Sequence, residues 1–197
     1  MSILIAGSSA YQTRIGKPCV VTIGNFDGVH LGHQQLLKRT LKEAKVKDIL
    51  SCVYTFEPSP RTLLAPQLQT PRIHTWQEKV ETLLQFGVDC VVVEEFSLTF
   101  AGYSPNWFAR EILHNRLSAQ SIVVGYDFRY GKARGGTVET LRNSLPHLDV
   151  IQVSALQKDE EVVSSSRIRT LIQSGGVQQA SDLLTRSHQI RGIVVSG

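Results

Sequence analysis

The sequence predicts an α/β fold, a doubly wound parallel five-stranded sheet with helices on both faces. Two observations carry this. Five short β-branched runs recur along the chain, and stretches with apolar residues at helical spacing separate most of them. Strands alternating with helices form right-handed βαβ units, which place all strands parallel and leave helices to cover both faces. The first run is 19–25 (CVVTIGN), and a helical pattern over 33–46 follows it. The second run, 50–56 (LSCVYTF), is followed by helix 75–86, and the third, 89–94 (DCVVVE), by helix 105–116. The fourth, 120–125 (QSIVVG), precedes a short helix near 137–144, and the fifth is 149–154 (DVIQVS). Two further helices are expected over 166–173 and 176–185.

Length and composition narrow the function. A chain of 197 residues with 42% apolar content can bury one good core. No apolar run approaches the roughly 18–20 residues that cross a bilayer, and ILIAG near the start lacks the length and basic flank of a signal peptide. The three cysteines, Cys19, Cys52 and Cys90, each lie in an apolar run, as buried reduced thiols of a cytoplasmic protein would. The net charge of +4 suits an anionic partner, but the basic residues are scattered, which favours nucleotide phosphates over a nucleic-acid groove. Nothing in the composition speaks to oligomeric state.

In a doubly wound sheet, ligands bind beyond the carboxyl ends of the strands. The loops there are GNFDGVHLGH, FEPSPR and GYDFRYGKARGG. In the first, Gly24 and Gly28 allow a tight turn and close backbone approach, and the helix that follows presents free N–H groups to an anion. His30 and His33 are three residues apart and share one helix face, with Gly32 leaving room between them. Such a pair suits a phosphoryl group whose charge shifts during displacement; a metal site would need a third ligand that is not evident. Asn25 and Asp27 either order the turn or hold a ribose or a magnesium-bound water. Phe56, Phe128 and Tyr130 either flank a flat ring or belong to the core, and Trp76 and Trp107 read as packing residues. Ser164, Ser165 and Ser166 precede a helix they can cap, and Arg167 and Arg169, two apart, must point to different partners.

H-x-G-H after a first strand resembles the signature of the nucleotidyltransferase superfamily. The longer IGNFDGVHLGHQ resembles the prokaryotic FAD synthetase module of bifunctional riboflavin kinase/FMN adenylyltransferase. FEPSP, FAGYSPNWFAREIL, VVGYDFRYGKARGG and VSSSRIRTLI resemble further blocks of that module in the same order, over roughly residues 15–186. The resemblance implies a Rossmann-like fold, ATP and FMN as substrates, FAD as product, and Mg2+ held mainly by phosphates and water rather than by a protein cage. It implies catalytic roles for His30, His33 and Arg169, with Gly24, Asn25, Phe26, Asp27, Gly28, Gly32, Ser165, Ser166 and Arg167 around the nucleotide phosphates. On the flavin side it points to Phe56, Pro58, Ser59, Asp127, Phe128 and Tyr130. Nucleotides and flavin are then the only partners expected, with neither nucleic acid nor membrane. Two positions depart from the family pattern: Ser59 stands where a histidine is usual, and Thr137 where an aspartate commonly follows R-x-G. Residues 1–186 correspond to the adenylyltransferase module and 187–197 to a stub resembling the start of a riboflavin kinase module. The rival expectations are a related transferase acting on another small phosphorylated substrate, and a non-catalytic nucleotide- or flavin-binding domain.

Overall fold

The structure is a computed structural model that describes residues 3–6, 15–68 and 70–194. All five expected strands form one parallel sheet: β2 (Cys19–Ile23), β3 (Leu50–Glu57), β4 (Cys90–Glu95), β5 (Ala119–Gly125) and β6 (Asp149–Val153). A sixth strand, β1 (Ile3–Ala6), was not expected; it pairs parallel with β4, giving the order β1-β4-β3-β2-β5-β6. Four residues are too few for a periodic signal, so only the pairing with β4 reveals them.

Alternation along each strand feeds two cores. Val21, Cys52, Val92 and Ile122 point to one face and pack with Phe108, Ile112, Leu113 and Leu141. Val53 and Val91 point to the other, against Leu37, Val80 and Leu83, and beside them Val20 and Val123 pack on Ala44. Every residue of β2 is buried, the pattern of a central parallel strand covered on both sides. The covering helices on the second face are α1 (Leu31–Lys47), which spans β2, β3 and β5, and α3 (Trp76–Gln85), which packs on β4. Between them, the short α2 (Pro60–Leu64) buries nothing.

On the first face, α4 (Leu98–Ala101) leads to α5 (Pro105–Trp107), which passes into a wider π-type stretch over Phe108–Arg116. Leu117 N–H there reaches back five residues to the Ile112 carbonyl at 2.9 Å. α6 (Val138–Ser144) covers β6. After β6 comes a two-residue hairpin, β7 (Gln157–Lys158) and β8 (Glu161–Val162), then α7 (Ser165–Gln173) and α8 (Val177–Leu184). These last helices close a small apolar cluster with Ile73 and Val163. Beyond them Ile190, Ile193 and Val194 are almost fully exposed, while Arg191 pairs with Glu78 and Glu81.

The chain runs outward from β2 through β3 to β4, then returns to place β5 on the opposite side of β2. That reversal puts the loops after β2 and β5 side by side at the sheet's carboxyl edge, the position at which such folds open a crevice.

Candidate active site

The β2–α1 loop is a strained turn held from several sides. Phe26 and Val29 have φ of 52° and 42°, between them Gly28 has φ of 85°, and a β-branched residue at positive φ is a real outlier. Strain of this kind, about 1–3 kcal/mol per residue, persists only where the surroundings fix it. They do so here. The Asp27 carboxylate accepts from the Ile73 and His74 backbone N–H groups at 3.1 and 3.2 Å and from Arg169 at 2.6 Å. The Ser165 hydroxyl donates to the Asp27 carbonyl at 2.8 Å, Arg186 to the Gly28 carbonyl, and Gln34 to the Val29 carbonyl at 3.1 Å. A side chain at Gly28 would be strained by its φ of 85°, and its Cβ would press on Ile73 at 3.0 Å.

The turn delivers two histidines to the start of α1. His30 is the N-cap residue: its Nδ1 accepts from the His33 backbone N–H at 3.4 Å, which in the neutral ring leaves the proton on Nε2. The two rings stack, with centroids 3.7 Å apart and planes 21° from parallel. Burial pushes His30 down to about 4, with nearby Arg169 and Arg186 opposing the Asp27 charge. Burial, the His30 ring and the Lys79 charge hold His33 well below its ordinary value. Both are neutral hydrogen-bond donors near pH 7. Gly32 keeps the contact close, since a Cβ there would sit 3.2 Å from the His30 ring and 3.3 Å from the Val163 carbonyl, and both would have to give.

These residues open onto a cavity of about 960 Å³. One end is lined by Gly24, Asn25, His30, Gly32, His33 and the 163–165 stretch. Asn25 Oδ1 and His33 Nδ1 are buried there without a hydrogen-bond partner among the described residues. Such orphaned polar atoms are rare in native folds and point to a polar ligand. The other end is aromatic, lined by Phe56, Phe96, Phe100, Tyr103, Phe108 and Phe128. Phe56 meets Tyr54 and Phe96 edge-on, and Phe128 stacks parallel to Tyr130 with centroids 5.5 Å apart. Exposed Arg61, Arg129 and Arg134 stand at the rim.

Many of the expected residues therefore meet in one place. Gly24, Asn25, His30, Gly32, His33 and Ser165 line one end, and Phe56, Ser59, Asp127, Phe128 and Tyr130 line the rest. Others support the wall from behind. Phe26 is fully buried in the core, and Asp27 and Gly28 shape the turn. Arg169 faces Asp27 and is outside the lining, as are Pro58, Ser166 and Arg167. Arg167 holds the β7–β8 hairpin, pairing with Glu161 at 2.9 Å and donating to the Lys158 carbonyl at 2.8 Å.

The profile of the FAD synthetase family matches residues 12–167. The chain belongs to the FAD synthetase family. It is 34% identical over 187 residues to the bifunctional riboflavin kinase/FMN adenylyltransferase of Buchnera aphidicola from Schizaphis graminum, covering 93% of this chain and 60% of that one. It is 35% identical over 188 residues to the FAD synthetase of Listeria monocytogenes, covering 92% and 74%. The chain thus spans about 60% of the length of the bifunctional relative. Among solved structures, a Streptococcus pneumoniae chain described as a macrolide-efflux protein superposes with a TM-score of 0.88 at 32% identity, over all of this chain and 66% of that one. Among the described residues here, no helix is long and apolar enough to cross a membrane. A pantoate-β-alanine ligase from Francisella tularensis shares the fold, with a TM-score of 0.53 at 12% identity over 93% and 86% of the two chains.

The two departures from the family pattern are both helix caps. The Ser59 hydroxyl accepts from the Thr62 backbone N–H at 3.3 Å at the start of α2. Thr137 and Thr140 form a reciprocal capping box that opens α6. Serine and threonine perform that task with no charge. Sequence reasoning missed the aromatic stretch from Phe96 to Phe108. Its signal was the density of rings in FSLTFAGYSPNWF, which carries four aromatic residues that line the cavity. Trp76 and Trp107 are partly buried packing residues, as read; Trp107 stacks on Tyr103 at 3.8 Å.

Proposed function

We propose that this chain transfers the adenylyl group of ATP to FMN, giving FAD and pyrophosphate. The observation that carries the reading is the continuity of the cavity: a glycine- and histidine-lined end with orphaned polar atoms joins an aromatic end without a wall between them. Triphosphate suits the first end, where backbone N–H groups of the α1 N-terminus and two imidazole donors converge. An isoalloxazine ring suits the second, where flat aromatic surfaces can stack on it. An FMN phosphate oxygen then attacks the α-phosphorus of ATP in line, and pyrophosphate leaves. No protein nucleophile is needed, because the attacking oxygen is already anionic; the protein's part is positioning and charge stabilisation. His30 donates from Nε2 to a phosphate oxygen, and His33 donates beside it. Arg169 acts through Asp27, fixing the turn that aims both rings. Magnesium, bound with the ATP, would neutralise phosphate charge, and the unpartnered Asn25 Oδ1 is the acceptor that fits one of its waters.

The test is incubation of the protein with ATP, magnesium and FMN, followed by chromatography for FAD and assay of pyrophosphate. Both products should appear in equal amounts. Turnover of CTP with a small phosphorylated alcohol, and none with FMN, would transfer the assignment to a related transferase. Flavin binding without turnover would leave a binding domain.

A further inference from the structure

Helix α3 buries Val80 and Leu83, with Trp76 partly covered, along one stripe, and on that stripe, where an apolar residue is expected, stands Lys79. It is 5% exposed. Its ammonium has three protons and meets three acceptors, the Asn25 carbonyl at 3.2 Å, the Thr55 hydroxyl at 3.1 Å and the Phe56 carbonyl at 3.1 Å. All three are neutral. Among the described residues, no carboxylate lies within ion-pair distance of it; Glu57 is taken by Arg72 at 2.7 Å and Asp27 by Arg169 at 2.6 Å. Burying a cation without an anionic partner is expensive, and an apolar side chain would fit the stripe at no such cost.

The location shows what the charge faces. Asn25 lines the polar end of the cavity and Phe56 the aromatic end, so the ammonium is bonded to the back of both walls. Of the neighbouring arginines, Arg169 is spent on Asp27 and Arg167 on Asp159 and Glu161, while Arg61, Arg129 and Arg134 stand at the exposed rim. Both cavity histidines are held neutral.

We propose that Lys79 is a positioning residue of this site, joining the phosphate-side loop to the flavin-side loop and supplying from beneath the cavity floor the fixed positive charge that an incoming polyphosphate neutralises. The proposal rests on the adenylyl-transfer reading only in taking the glycine–histidine end as the phosphate end. The charge reaches the site, since it contributes to holding the His33 imidazole neutral. The groups facing Lys79 are Asp27 from the β2–α1 loop, Glu57 at the end of β3, Arg72 ahead of α3 and His33 on α1. Burial is the largest influence and brings Lys79 down to about 8; Glu57 and Asp27 oppose it and Arg72 adds to it. The free protein therefore loses this charge as the pH rises through about 8, while a bound polyphosphate would keep the lysine protonated to higher pH.

The experiment measures binding of inorganic pyrophosphate by calorimetry at pH 7 and pH 9.5, with FAD formation followed in parallel. Wild type, Lys79→Arg and Lys79→Met are compared. Ionisation of pyrophosphate itself is common to all three, so the comparison isolates the lysine. Between the two pH values the wild type should lose roughly fivefold more affinity than Lys79→Arg, whose guanidinium stays charged. Lys79→Met should bind weakly at both. In the FAD assay, kcat/KM of the wild type should fall above pH 8 and that of Lys79→Arg should not. Equal pH dependence in wild type and Lys79→Arg overturns the proposal, as does wild-type affinity in a folded Lys79→Met. Should Lys79→Met not fold, the arginine comparison decides alone. A lysine-dependent pyrophosphate response without FAD formation would support this proposal and overturn the adenylyl-transfer reading.

Discussion

His30 shows how one side chain serves fold and site together. Its Nδ1 caps α1 by accepting from the His33 N–H, and its buried ring is held neutral down to about 4. In the unfolded chain it takes a proton near its ordinary 6.5. Below that pH the unfolded state binds more protons, so the stabilisation is complete above about 6.5 and is lost as the pH falls toward 4. From pH 7 to pH 5 His30 alone should remove roughly 2 kcal/mol, and His33 and His74, also lowered by burial, add to the slope. Urea unfolding at the two pH values measures this, and His30→Gln should flatten the difference; an unchanged slope would show that the ring is solvated. Arg169 and Asp27 form the other decisive pair. Removing the arginine alone leaves a carboxylate with 10% side-chain exposure and, among the described residues, no cation within ion-pair distance, so Arg169→Ala should destabilise by about 3 kcal/mol. Asp27→Asn together with Arg169→Ala should be less than additive in a double-mutant cycle. Strict additivity would mean that Arg169 works on the phosphates and not on Asp27.

At the scale of elements, five of the six strands of the main sheet were legible and their pairing order was not. CVVTI and CVVVEE read as buried parallel strands because β-branched residues fill both of their faces. Helix α1 was legible from its apolar spacing, although it begins two residues earlier than the periodicity indicates, because the N-cap is a histidine and not one of the usual capping residues. The short α2 and α4 were hidden, since neither offers enough turns for a period to show, whereas the helix expected over 105–116 is there and only its π-type winding over Phe108–Arg116 was not legible. Lys79 was hidden for the opposite reason: its position is periodic but its residue type argues for solvent. The serine and threonine departures, ambiguous in the sequence, become plain once the caps are seen. Thr137→Ala should break the capping box of α6 and lower stability by about 1 kcal/mol, read as a drop of roughly 2–4 °C in melting temperature. Thr137→Asp keeps an N-cap oxygen and should melt within a degree or so of the parent. A melting temperature unaffected by alanine would show that α6 is held by Leu141 and Val138 packing alone.

At the scale of the molecule, the three cysteines form a reporter of the whole sheet. Cys19, Cys52 and Cys90 lie on the adjacent strands β2, β3 and β4, Cys52 opposite Cys90 in register, and all three are fully buried and free. Hydrogen bonding to the Cys19 and Cys90 thiols, with burial behind it, pushes the Cys52 thiol well up, whereas bonding to Cys52 draws Cys90 down. Alkylation requires an exposed thiolate, and the central strands of a doubly covered sheet expose theirs only when the layers part. The three thiols should therefore react with iodoacetamide in a single slow phase that tracks global opening. A ligand that binds only the folded chain multiplies the closed population by 1 + [L]/Kd, so pyrophosphate at a hundred times its dissociation constant should slow all three about a hundredfold. The lowered Cys90 thiol makes the test sharp, because any local opening at β4 would let it react first. A fast phase confined to Cys90 and unaffected by pyrophosphate would show that β4 opens independently of the cavity. Joint protection of all three would show that filling the carboxyl edge of β2 and β5 tightens a sheet that opens as one unit.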